Sequence, residues 1–134
     1  MAVYQALHRC VQQGLVRSCH DLADGGLAVA VTEACIGGRL GARIDVGEVW
    51  CEPPLYSPEL VALLFSETPS RLLVEVAAAH ADAFQEQLTG VPFACIGDVT
   101  PVERGIGFSH GSREVLHLDI DQAVAAWRDS GLGD

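Results

Sequence analysis

From Leu27 to Ile36 nearly every side chain is apolar or small, and glycine pairs stand on either side, Gly25-Gly26 before and Gly37-Gly38 after. A helix that is apolar all round has no face to give to water, so it must be enclosed by other elements. The chain therefore folds around a central helix, and the segments before and after it supply the cover. Gly37 and Gly38 are expected to end that helix.

The flanking segments read as an alternation of helix and strand. Val3, Leu7, Cys10 and Val11 recur at helical spacing between Val3 and Gln13, with Gly14 as a stop. Leu15 to Asp21 reads as a short strand leading into a turn, Ala42 to Val46 as a strand, and Trp50 to Pro58, with three prolines, as a loop. Pro58 to Leu64 is expected to be a short helix and Leu72 to Val76 a strand. Ala78 to Leu88 is helical, with Ala81, Phe84 and Leu88 on one face, and Phe93 to Val99 is a strand. Gly105 to Ser109 and Glu114 to Leu118 pair as a hairpin around Gly111. Asp119 or Asp121 caps a last helix carrying Val124 and Trp127, and Gly131 to Asp134 is a frayed tail. The pattern predicts an α/β (α+β) fold, a mixed β-sheet covered by helices, in a single domain over residues 1–134. The abrupt helical start marks Met1 as something other than a natural beginning.

Composition narrows the function. The 134 residues are 49% hydrophobic, enough for a core, and carry a net charge of −10. All eight basic residues are Arg. A nucleic-acid binder needs a basic stripe, and none is present. Without Lys there is no phosphate-loop lysine and no Schiff base. Five Cys at irregular spacing, with no C-x-x-C pair, fit reduced thiols in a cytoplasmic protein better than a disulfide framework or a zinc site. Cys10, Cys35 and Cys95 lie in apolar patterns and read as core fillers. No apolar run reaches the roughly 18 residues of a membrane span.

Three polar segments can carry chemistry. In Ser18-Cys19-His20-Asp21-Leu22-Ala23-Asp24-Gly25-Gly26-Leu27 a strand end meets a helix start. Glycines let a ligand approach the backbone, and N–H groups at the helix start favour an anion. His20 is placed to donate to a phosphate or carbonyl oxygen. The same residues read equally as a plain N-cap by Asp24 and a satisfied loop histidine. In Leu64-Phe65-Ser66-Glu67-Thr68-Pro69-Ser70-Arg71, three hydroxyls and a guanidinium can hold a phosphate, whereas Glu67 opposes an anion unless it binds Arg71 or a ribose hydroxyl. The alternative is a polar turn bonded to its own backbone. His110-Gly111-Ser112-Arg113 is read first as a hairpin turn and second as an anion cradle. A Cys19–His20 nucleophile pair fails, because adjacent strand residues face opposite ways. The five His are scattered, so no metal site is assigned.

Two of these segments together resemble a known family. His20-Asp21-Leu22-Ala23-Asp24-Gly25-Gly26-Leu27-Ala28-Val29-Ala30 is similar to the "HDLSDGGLAVAL" segment of phosphoribosylformylglycinamidine synthases. Leu64 to Arg71 resembles their "LFSE-x-x-SR" run, and Gly41 to Val46 their intervening strand. Ala23 stands where the family usually has Ser. Hydrogenase maturation proteins tend instead to "HDPTRGG", and thiamine phosphate kinases to "D-x-SDGL" without the second run. The resemblance implies the carboxy-terminal domain, related to aminoimidazole ribonucleotide synthase, of a larger ATP-dependent ligase of purine biosynthesis. It implies ATP and Mg²⁺ bound mainly by an amino-terminal domain, and a glutaminase domain or subunit as a further partner. On this reading His20 is catalytic, and Asp24, Gly25, Gly26, Ser66, Glu67, Ser70 and Arg71 bind substrate or phosphate. The rivals are a non-catalytic, structural half of the same enzyme, and another ATP-dependent enzyme of the wider superfamily.

Overall fold

The computed structural model describes residues 2–49 and 59–130; the expected proline loop, Cys51 and the expected tail lie outside them. The element order is α1 (Ala2–Gln12), β1 (Val16–Asp21), α2 (Gly26–Gly38), β2 (Gly41–Asp45), α3 (Glu59–Phe65), β3 (Leu72–Val76), α4 (Ala81–Gln87), β4 (Gly97–Thr100), β5 (Ile106–His110), β6 (Arg113–Leu118) and α5 (Ile120–Ser130).

The strands form two sheets. One has four strands in the order β4-β2-β5-β6; β2 runs parallel to β5, and the other two pairings are antiparallel. The other is an antiparallel ribbon of β1 and β3. Register decides which face of the larger sheet is covered. Ala42 lies beside Ile106 and Ile44 beside Phe108, while Leu118 and Leu116 complete the two rows. Ile106 and Phe108 are fully buried, whereas Arg43, on the other face of β2, is exposed. This period-two alternation gives the sheet one apolar face.

The expected central helix is α2. It touches α3, α5, both strands of the ribbon and β2, so it lies in the middle of the cluster formed by Leu27, Val31, Cys35, Ile44, Leu63 and Phe108. Its second face, Val29, Thr32, Glu33 and Ala34, is only partly covered among the described residues.

Several expectations are corrected. Gly37 and Gly38 do not end α2, which continues through both; the left-handed residue that stops it is Arg39, with φ 51°. Asp24 is not the N-cap: that place is held by Gly25 in a left-handed conformation (φ 81°), with no side-chain cap. Cys95 is exposed and lies before β4, which starts only at Gly97 and is itself largely exposed. Val11 is 52% exposed, off the buried stripe of Ala6 and Cys10. The helix expected from Ala78 begins as a 3₁₀ turn, Ala78–His80, before α4. Asp119, one of the two residues expected to cap α5, does so: its Oδ1 accepts from Asp121 N (2.8 Å) and Gln122 N (3.3 Å).

His110 to Arg113 is the β5–β6 turn. Its backbone does hold an anion, but one from the chain itself. Asp45 Oδ1 accepts from Gly111 N at 3.0 Å and from Gly47 N at 2.9 Å. Those two N–H groups, Gly111 first, lower the Asp45 carboxyl below its ordinary range. A lowered folded-state pKa means that this contribution is complete above the ordinary carboxylate range and is lost as pH falls through the folded value.

Candidate functional site: a cleft between two polar turns

The turn that opens α2 and the turn that precedes β3 lie side by side, because β1 and β3 are paired antiparallel with Asp21 opposite Leu72. The chain leaves β1 and enters β3 at the same end of the ribbon. Leu22 N donates to Arg71 O at 3.1 Å and closes that end. Beyond it Gly26 packs on the backbone of the second turn. A Cβ at Gly26 would stand 2.7 Å from the carbonyl carbon of Phe65 and 2.8 Å from the oxygen of Ser66. Gly26 also has φ +63°, so backbone conformation and close approach both call for glycine here.

Hydrogen bonds fix the second turn. Glu67 Oε1 accepts from Gly25 N at 2.9 Å. The carboxylate thus seats itself on an amide at the positive end of α2. Arg71 donates from one terminal nitrogen to Ser66 Oγ (2.7 Å) and Ser66 O (3.2 Å). Ser66 Oγ lies 3.4 Å from Thr68 Oγ1. Ser70 adopts φ +67°, a left-handed conformation unusual for a residue with a Cβ, and its Oγ accepts from Tyr4 of α1 at 3.1 Å. The cleft between the turns has a volume of about 250 Å³ and is lined by Tyr4, Asp21, Glu67, Thr68, Ser70 and Arg71 among others.

Of the residues singled out from sequence, Glu67, Ser70 and Arg71 line this cleft; Gly25 and Ser66 are hydrogen-bonded to Glu67 and Arg71, and Gly26 packs on the backbone of Phe65 and Ser66. Asp24 is exposed in the first turn. His20 sits at the end of β1 with both ring nitrogens engaged. Nδ1 lies 2.7 Å from Asp21 O, and Nε2 lies 2.8 Å from Glu33 Oε2 on α2. The imidazole therefore braces the ribbon against α2. Sequence reasoning overlooked Glu33 as its partner and Tyr4 as a wall of the cleft. Glu33 carried a faint signal, the one charge within the apolar helix; Tyr4 carried none.

No described thiol with a shifted pKa is activated as a nucleophile. Burial raises Cys10 and Cys19, and burial followed by the charge of Glu75 pushes Cys35 up to about 11. Among the described residues no three His, Cys, Asp or Glu side chains gather as a metal centre. Among them, too, no helix is long and apolar enough to cross a membrane.

A mixed sheet packed on helices, with an open cleft at a strand–helix junction, defines the class: an α/β domain. The model of the family described as "AIR synthase related protein, C-terminal domain" matches residues 1–109, and the chain belongs to that family. It is 38% identical over 120 residues to the phosphoribosylformylglycinamidine synthase subunit PurL of Synechococcus elongatus, spanning 87% of this chain and 15% of that protein. The PurL subunit of Prochlorococcus marinus (strain MIT 9303) is 43% identical over 97 residues, 72% of this chain and 11% of that protein. The fold matches Thermotoga maritima PurL complexed with ATP at a TM-score of 0.79 and 23% identity, covering 91% of this chain and 21% of that one. The same protein complexed with FGAR matches at 0.77 and 24%, covering 91% and 20%. The chain thus spans about a seventh of the curated relative's length (15%).

Proposed function

We propose that this chain is the carboxy-terminal domain of a phosphoribosylformylglycinamidine synthase, a cytoplasmic ATP-dependent ligase of purine biosynthesis, and that its cleft grips the ribonucleotide substrate. In the proposed reaction the formamide oxygen of formylglycinamide ribonucleotide is phosphorylated by ATP, and ammonia released from glutamine displaces the phosphate. ATP and Mg²⁺ are assigned mainly to an amino-terminal domain, and the ammonia to a glutaminase domain or subunit.

The observation that carries this reading is the convergence of the two turns, locked by the Gly25–Glu67 bond and by Arg71 on Ser66. The cleft offers both polarities that a ribose phosphate needs. Arg71 and the Ser70 hydroxyl suit phosphate oxygens, and Ser66 serves by holding Arg71. The second oxygen of Glu67 suits a ribose hydroxyl, while the first stays on Gly25. Asp24, Gly25 and Gly26 belong to the adjoining turn and are assigned to the same substrate. Gripping the ribonucleotide at its phosphate, away from the reacting amide, lets binding energy orient the formamide. His20, expected to be catalytic, acts on substrate by exchanging Asp21 O or Glu33 for it; in its present place it braces β1 against α2.

One observation favours the structural rival. The Gly25 amide, the anion seat expected from sequence, already carries the chain's own Glu67. A site that is filled from within serves stability without any ligand.

Ligand-linked stabilisation of the full-length natural protein tests the proposal. Formylglycinamide ribonucleotide at about 100 times its Kd stabilises the binding-competent fold by about 2.7 kcal/mol. The melting midpoint is expected to rise with this ligand, and the rise is expected to shrink in the Ser66→Ala/Ser70→Ala variant. An equal rise in both proteins would remove the cleft from the substrate site.

A further inference from the structure

Tyr4 reaches the cleft from α1, 66 positions away from Ser70 in sequence. It is 50% exposed, so its ring is not held there by the core. What it does make is one directed bond, from the phenol to Ser70 Oγ at 3.1 Å. A phenol is far more acidic than an alkyl hydroxyl and is the natural donor of such a pair. Once Ser70 Oγ accepts from Tyr4, its own proton is turned elsewhere.

Two further observations support the direction of that turn. Ser70 holds φ +67° between Pro69 and β3, a conformation that costs about 1 kcal/mol or more in a residue with a Cβ. It lines the cleft together with Tyr4. At the opposite end of the same turn, Ser66 Oγ accepts from the Arg71 guanidinium at 2.7 Å. Ser66 has Thr68 Oγ1 at 3.4 Å as a partner for its own proton, whereas Ser70, held as an acceptor by Tyr4, is left to offer its proton into the cleft. A serine set in this way beside the Arg71 guanidinium suits a ligand that presents acceptor oxygens.

We propose that Tyr4 is a positioning residue for the ligand: its phenol fixes the Ser70 hydroxyl as a donor to an anionic oxygen of the phosphorylated substrate. The inference rests on the substrate cleft proposed above and adds a residue from a separate element to it.

The test uses the full-length natural enzyme with formylglycinamide ribonucleotide. Tyr4→Phe keeps the ring and removes only the hydroxyl. It is expected to raise KM about fivefold, the size of one neutral hydrogen bond, with kcat and the melting midpoint unchanged. Ser70→Ala removes the bond to the charged oxygen itself and is expected to raise KM more than about tenfold. Because Tyr4 acts through Ser70, the double variant is expected to rise no further than Ser70→Ala alone. An unchanged KM in Tyr4→Phe beside a raised KM in Ser70→Ala would overturn the role of Tyr4 and leave the cleft standing. So would a double variant whose effects multiply. If Ser70→Ala and Arg71→Ala both leave every kinetic parameter unchanged, the cleft itself fails, and Tyr4 with it.

Discussion

Gly26→Ala is expected to destabilise the domain by roughly 3–5 kcal/mol, the sum of backbone strain and overpacking. Gly26 has φ +63°, where a side chain is strained whatever room it finds. Here there is no room either: the added carbon would meet Phe65 C, Ser66 O and Phe65 Cα at 2.7, 2.8 and 2.9 Å. All three are backbone atoms, so relief requires α2 and the second turn to separate. A natural control isolates the steric part. Gly14 has φ +69° but nothing within 4 Å of its added carbon, so Gly14→Ala suffers strain alone, about 1 kcal/mol. Denaturant unfolding of the two variants should therefore differ by at least 2 kcal/mol. Since whole domains are stable by only about 5–15 kcal/mol, Gly26→Ala is expected to remove a large fraction of the domain's stability. Equal costs at the two glycines would mean that the turns are not in contact.

Arg71→Ala is expected to lower kcat/KM for formylglycinamide ribonucleotide in the full-length enzyme about 100-fold. Two losses combine. A guanidinium no longer faces the ligand phosphate, and a hydrogen bond to a charged group is worth about 1.5–3 kcal/mol. Ser66, which now accepts from Arg71 at both Oγ and O, also loses its anchor. Steady-state kinetics beside a melting curve separates the two readings of the domain. A large kinetic loss with a small change in midpoint supports a substrate role. Unchanged turnover with a lowered midpoint supports the structural half.

The central helix and most strands were legible because their signals are local. The apolar run of α2 and the alternation Ala42, Ile44 and Ile106, Phe108 state which faces are buried. What was not legible is set by contacts between distant segments. No local rule says that β2 lies parallel to β5, or that β1 and β3 leave the larger sheet to form their own ribbon. Local rules also misled where glycine was available. Asp24 has the better capping side chain, yet the left-handed turn at Gly25 moved the N-cap one residue on and left Asp24 exposed. Arg39 likewise took the left-handed stop expected of Gly37 and Gly38.

The candidate site divides in the same way. Its residue types, with two glycines at a helix start and hydroxyls beside an arginine, were readable within each segment. Their pairing was not. The carboxylate of Glu67 was expected to oppose an anion unless it bound Arg71 or a ribose hydroxyl, and no local rule pointed to the Gly25 amide, 42 positions away, that its Oε1 takes up. His20 was read as a group facing substrate, and it instead spans from β1 to Glu33 on α2. Tyr4 lies in a stretch whose only sequence signal is helical spacing, so its place beside Ser70 required the fold.

The most direct measurement is the position of formylglycinamide ribonucleotide bound to the full-length natural protein, determined by crystallography. Phosphate or ribose oxygens should stand within about 3.2 Å of Ser70 Oγ and the Arg71 guanidinium, with Glu67 still on the Gly25 amide or turned to a ribose hydroxyl. A fully occupied ligand bound elsewhere, with the cleft between the two turns filled only by water, would contradict the account.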